Sequence, residues 1–97
     1  MGYILAKHRY VVFKREIDYI NFRQVNYEEE HFVHLYNDKI ETHEKTFRID
    51  EVFDLSYKML SDRYGFFYLH TVKGVTTLQI KEPPDEFIEE FRKVEIK

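Results

Sequence analysis

Cysteine and tryptophan are both missing from this 97-residue sequence, and it has only three glycines and two prolines. The lack of cysteine excludes disulfide bonds, thiolate metal sites and cysteine nucleophiles. It also fits a reducing compartment, so we expect a cytoplasmic protein. So little glycine and proline leaves no flexible linker, and the length is typical of one domain. We therefore expect residues 1–97 to form a single domain.

Long apolar runs are also missing. No stretch approaches the length that spans a bilayer, and Lys7, His8 and Arg9 interrupt the first apolar segment, so we expect no secretory signal. The net charge of −3 disfavours nucleic acid as a partner, whereas contact with a membrane stays open. The acidic run at residues 28–30 is predicted to be a solvated turn.

Motifs of catalysis are absent from the sequence as well. It contains no serine nucleophile elbow, no phosphate-cradling glycine loop and no HExxH zinc motif. His70 stands without a nucleophile or an orienting carboxylate nearby in the sequence, so it does not indicate a general base. We therefore expect a protein that is not an enzyme and needs no cofactor.

The clearest element that is present is a hairpin in the segment GFFYLHTVKGVTTLQI, residues 65–80. A loop at residues 73–74 places Phe67 opposite Ile80 and Leu69 opposite Leu78, with polar residues on the other face. A slip of one residue would mix the two faces, so this pattern predicts both the faces and the pairing.

A second hairpin is predicted in HFVHLYNDKIET, residues 31–42. Asn37 and Asp38 are favoured turn residues, and closing the chain there places Leu35 opposite Ile40. One face of this hairpin is then apolar and the other polar.

The segment KTFRIDEVFDLSYKM, residues 45–59, predicts two more strands. Asp50 and Glu51 are expected to form a bend or bulge between them. The second strand is predicted to place its alternating apolar residues on one face; these are Phe53, Leu55, Tyr57 and Met59.

The two ends of the chain differ in the spacing of their apolar residues. β-Branched and aromatic residues favour strands near Tyr3–Phe13 and Asp18–Val25, although a helix within residues 1–30 is an open alternative. At the other end, EPPDEFIEEFRKVEIK has apolar residues at helical spacing; these are Phe87, Ile88, Phe91 and Val94. Acidic residues in its first turn and basic residues towards its end suit the helix dipole.

The predicted fold is mainly β, with about six or seven antiparallel strands in a bent meander and a closing amphipathic helix. This combination of elements belongs to the α+β class. In this order of elements, residues 34–94 resemble a pleckstrin-homology-like (PH-like) domain of the small bacterial kind. The resemblance is carried by the strand FRIDEV, the strand GFFYLHT, the strand TLQI and the final helix. It implies a roll or barrel that binds a lipid, a peptide or another protein.

In relatives that bind phosphoinositides, basic residues surround the first hairpin. The matching region here has Lys14, Arg15 and Arg23, but Glu16 and Asp18 lie between them. This mixture is more typical of a solvated surface than of a phosphate site.

The excess of aromatic residues indicates where a partner would bind. A sheet of period two cannot turn all of them towards one core, and exposed aromatic patches often mark contact surfaces. We expect Phe66, Tyr68 and His70 on the outer face of the hairpin to contact a protein or peptide, or a second copy of the chain. A free strand edge is the alternative contact.

Two other sites are predicted from side-chain chemistry. His34, Glu41 and His43 fall on one face of the second hairpin, and two imidazoles with a carboxylate suit a divalent metal. Peripheral binding to an anionic membrane would instead use basic residues of the first strand; these are Lys7, Arg9, Lys14 and Arg15.

Overall fold

The computed structural model describes residues 3–95. It contains seven strands, one 3-10 turn at Ile49–Glu51 and one helix. In chain order these are β1 (Ala6–Asp18), β2 (Arg23–Leu35), β3 (Lys39–Glu41), β4 (Thr46–Arg48), β5 (Val52–Met59), β6 (Gly65–Thr71), β7 (Gly74–Ile80) and α1 (Asp85–Glu95).

All seven strands belong to one antiparallel sheet with the order β4-β3-β2-β1-β7-β6-β5. Strands from both halves contribute to one core, so the sheet bends over it. Within residues 3–95, β4 and β5 do not pair with each other, so the sheet is an open roll and not a closed barrel. The prediction of a mainly β meander with a closing helix is confirmed.

The N-terminal region is a long hairpin, not a helix. β1 and β2 pair in an unbroken register from Ala6↔Leu35 to Asp18↔Arg23. β1 extends beyond the predicted Tyr3–Phe13 at its end, whereas the strand predicted near Asp18–Val25 is wrong in its first half, because residues 19–22 form the turn of the hairpin. The acidic run at residues 28–30 lies inside β2, so its prediction as a turn is wrong; the continuous pairing with β1 holds it extended.

The two hairpins that sequence patterns predicted differ in outcome. The hairpin of β2 and β3 pairs Leu35 with Ile40, as predicted. In the hairpin of β6 and β7 the faces are as predicted, but Leu69 lies opposite Thr76 and not Leu78. The loop is one position earlier, at residues 72–73, which shifts the pairing by two residues.

Local hydrogen bonds explain this shift. The Thr71 hydroxyl donates to the Gly74 carbonyl at 2.9 Å and accepts from the Lys73 N–H at 3.1 Å. Gly74 then follows the loop with φ of 121°, a conformation that glycine adopts without strain. A shift of two residues keeps every side chain on its own face.

β5 begins with an irregularity that the pattern did not reveal. The predicted bend at Asp50 and Glu51 is confirmed as a 3-10 turn. A bulge between Val52 and Asp54 then turns Phe53 outward, where it is 62% exposed. Val52 and Leu55 are buried instead. The prediction that Phe53 shares the face of Leu55 is therefore wrong, because the extra residue of a bulge breaks the alternation.

The helix closes the core as its spacing predicted. Phe87, Ile88 and Phe91 are buried, and the Phe87 ring meets Phe67 of β6 edge to face, with centroids 5.5 Å apart. The Tyr57 hydroxyl donates to the Asp85 carboxylate at 2.8 Å and so ties the start of α1 to β5.

Replacing Phe87 by Ala removes a fully buried ring, and we expect a loss of about 3–5 kcal/mol in the free energy of unfolding. The matched control is Phe53→Ala, the same truncation at an exposed ring, which should cost under about 1 kcal/mol. Urea unfolding followed by circular dichroism measures both. Equal losses would contradict the outward orientation of Phe53.

Candidate functional site

The outer half of the first hairpin, residues 13–28, projects from the body of the protein; we call it the arm. β1 continues for six residues beyond Val12, about 20 Å at the usual rise of a strand. The molecule accordingly measures 56 × 30 × 24 Å. Within residues 3–95, β1 pairs with β7 only at Val11↔Gln79, so the arm has no strand neighbour on that side.

Apolar side chains are concentrated at the end of the arm. Tyr19, Ile20 and Phe22 in the connecting loop are 77%, 86% and 88% exposed. Further apolar residues are exposed on both faces of the two strands; these are Phe13, Ile17, Val25 and Tyr27. Water-exposed apolar surface of this extent is unusual in a monomeric protein and is typical of contact sites.

The loop at the tip is ordered by Asp18, not by glycine. One Asp18 carboxylate oxygen accepts from the backbone N–H groups of Ile20 and Asn21, and the other accepts from the Asn21 side chain at 2.8 Å. These hydrogen bonds, above all the one from the Asn21 side chain, lower the pKa of Asp18 below its ordinary value of 3.8. Phe22 takes a positive φ of 54°, which is uncommon for a bulky residue.

The middle of the arm also carries a specific contact. The Tyr27 hydroxyl donates to the Glu16 carboxylate at 2.7 Å across the two strands. This hydrogen bond to a carboxylate raises the pKa of Tyr27. The contact lies where the arm has no core beneath it and helps to hold its two strands in register.

The aromatic face predicted on the hairpin of β6 and β7 is present but half-buried. Phe66, Tyr68 and His70 follow one another along the outer face of β6, with ring centroids 6.4 Å apart at each step. Each is covered in part by its neighbours. His70 is also engaged with the Ser56 hydroxyl, 2.7 Å from its Nε2 atom. This face is less accessible than the tip of the arm.

The predicted metal ligands do not come together. His34 lies opposite Glu41 on the outer face of β2 and β3, as predicted. His43 lies in the loop after β3, where its ring stacks on His31 with centroids 3.7 Å apart. Within residues 3–95, no three His, Asp or Glu side chains are grouped to hold a metal.

His43 is instead held by a buried tyrosine. The Tyr10 hydroxyl lies 2.5 Å from His43 Nδ1 and accepts from the His43 backbone N–H at 3.1 Å. Tyr10 is only 2% exposed. The hydroxyl thus holds the loop after β3 against β1.

The basic residues of β1 do not form one patch. Arg9 pairs with Glu30 and Glu82 at 3.3 and 3.2 Å, and Lys14 lies 4.0 Å from Glu29. The ammonium of Lys7 lies over the ring of Phe32. Arg15 is exposed further out on the arm. These contacts reduce the free positive charge that an anionic surface would meet.

Sequence reasoning missed the tip of the arm. The segment DYINF, residues 18–22, has the composition of a strand, and its apolar residues concealed the turn. The one signal of a turn was Asp18 followed three residues later by Asn21, since both favour turns.

The chain matches no protein-family model, and no curated protein matches it significantly. In the part of the chain that the structure describes, no helix has the length and apolar character needed to cross a membrane.

The low pKa of Asp18 gives a test of the tip. Because the folded pKa is depressed, the turn is stabilised at neutral pH and loses this contribution as the pH falls through that pKa. NMR titration of the Asp18 carboxyl carbon should give a midpoint below 3.8, and Asn21→Ala should raise it. Asn26→Ala is the control and should leave it unchanged. A titration midpoint that stays the same in Asn21→Ala would contradict the hydrogen bonds described for this turn.

The Tyr10 hydroxyl gives a second test. Tyr10→Phe removes the partner of two polar groups of His43, so we expect a loss of about 1–2 kcal/mol in the free energy of unfolding. Tyr19→Phe makes the same change at an exposed position and should have no measurable effect. Urea unfolding measures the free energy of unfolding of both variants. Equal values for Tyr10→Phe and Tyr19→Phe would show that the contact to His43 contributes nothing to stability.

Proposed function

We propose that this chain is a non-catalytic interaction module whose contact element is the arm and whose partner is a protein. The observation that carries the proposal is the tip, where Tyr19, Ile20 and Phe22 are almost fully exposed on a projecting hairpin. Tyrosine and phenylalanine contribute much to protein interfaces when they become buried. The order of strands and the closing helix support a PH-like domain of the binding kind.

The distribution of apolar residues on the arm favours a protein over a lipid bilayer. A bilayer receives the end of a hairpin, but it does not cover both faces along its length. Phe13 and Ile17 are exposed on one face, and Val25 and Tyr27 on the other. A protein partner can enclose both faces, and the mixed charges of the arm suit a protein surface better than an anionic one.

The other contact surfaces weighed from the sequence receive less support. The face of Phe66, Tyr68 and His70 is half-buried, so it offers a partner less new burial than the tip does. The metal alternative lacks a cluster of ligands within the described residues. We place the proposed function in the cytoplasm, since a chain without cysteine suits a reducing compartment.

Site-specific photo-crosslinking in the native cell tests this proposal. A benzophenone amino acid at position 20 should capture a defined protein, because this position would lie inside the interface. The matched control carries the same group at Tyr68, where we expect little capture. When the benzophenone amino acid at position 20 is combined with Tyr19→Ser and Phe22→Ser, the cross-linked product should be lost.

The other outcomes of this experiment would overturn the proposal. Capture at position 68 but not at position 20 would move the contact to the aromatic face. Capture of lipid alone at position 20 would make the chain a membrane-binding module. No arm-dependent product at all would remove the arm as a contact element.

A further inference from the structure

We propose that the protein on the arm is a second copy of this chain, joined to it by antiparallel pairing of the two β1 edges around Arg15. This inference rests on the proposed function and names its partner. It starts from the open edge of β1, which runs from Val12 to Asp18 opposite the side that β2 occupies. Alternate residues of a strand direct their N–H and C=O groups to each edge, so this edge offers a row of unpaired backbone groups.

The edges of β2 and β5 carry protections, whereas the β1 edge and the facing edge of β7 at residues 74–78 do not. The free edge of β2 carries Glu28, Glu29 and Glu30, so self-pairing there would place like charges opposite each other. β5 begins with a bulge between Val52 and Asp54, and its Tyr57 contacts Asp85 of α1. Bulges, charges and covering elements are the usual protections of strand edges.

The sequence of the β1 edge is complementary to itself. Antiparallel pairing centred on Arg15 places Phe13 opposite Ile17 of the second copy, and Lys14 opposite Glu16. Phe13 and Ile17 are 58% and 57% exposed in the single chain, so both would gain burial. The two Arg15 residues lie opposite each other on the two-fold axis of this pairing, and their long side chains can extend away from each other into solvent.

Two neighbouring registers are less favourable. Centring on Glu16 places two carboxylates opposite each other and sets Arg15 against Ile17. Centring between Lys14 and Arg15 places two pairs of like charges in contact. The register around Arg15 therefore matches Phe13 with Ile17 and Lys14 with Glu16, at the cost of one Arg15 pair and of Val12 opposite Asp18.

The same register also gives the tip of the arm a place to bind. When the same pairing continues towards the body of the first copy, residues 19 and 20 of the second copy lie beside Val11 of the first, where β7 diverges from β1. A cavity of about 500 Å³ lies at this divergence, lined among others by Val11, Phe13, Val75 and Thr77. The cavity is bounded by β1, β7 and residues 42–45 of the loop after β3, and the pairing places the apolar tip at this cavity.

The resulting dimer is closed and symmetric. Because antiparallel arms point in opposite directions, the two bodies lie at opposite ends and each tip reaches the other body. The same surface is used twice, as in a two-fold isologous interface, so the pairing does not propagate into fibres.

The absence of cysteine makes a disulfide scan a sharp test. In this register position 15 alone faces its own copy, so Arg15→Cys should form a covalent dimer under mild oxidation. Ile17→Cys and Gln24→Cys are matched arm controls and should remain monomeric on non-reducing gels. Sedimentation of the unmodified chain should give twice the mass of one chain, with loss of the dimer in Ile17→Lys.

The possible failures distinguish this inference from the proposed function. A monomer in sedimentation, or cross-linking that is equal at positions 15, 17 and 24, would overturn the dimer. If position 20 still captured a different protein in the cell, the arm would remain a contact element with another partner. Capture of the chain itself at position 20, mapped to residues 75–79, would support both.

Discussion

The continuous pairing of β1 with β2 over thirteen positions is the constraint on which the rest of this molecule depends. In its inner half, Tyr10, Val33 and Leu35 are buried in the core, and their burial fixes the register. In its outer half the same register continues with no core beneath it. The arm is therefore a continuous extension of the buried pairing, which explains how apolar residues can be presented far from the body.

Two histidines of the body are held by other side chains: Tyr10 contacts His43, and Ser56 contacts His70. The helix α1 fills the open side of the roll with Phe87 and Phe91, so the interior is occupied by the chain's own side chains. What remains free is surface, and the largest apolar part of that surface is on the arm.

The treatment of the strand edges supports the view that the arm is a contact element. Edges are a source of unwanted pairing, and natural sheets protect them with charge, bulges or covering elements. This chain protects β2 with glutamates and β5 with a bulge, yet it leaves apolar residues and charges of both signs on the open edge of β1. An open edge with these residues favours pairing with another strand.

By itself the sequence determined the features that depend on local period and turn chemistry. The buried face of α1, the turn at Asn37 and Asp38, and the inward faces of β6 and β7 all follow from residues a few positions apart. Alternation cannot distinguish registers that differ by two residues, so the pairing of β6 with β7 was decided by the contacts of Thr71 and Gly74. Tertiary structure likewise decided three other features: the outward orientation of Phe53, the packing of His43 on Tyr10 and the exposure of the arm. Each depends on where a strand that is distant in the sequence ends, and local period does not specify this.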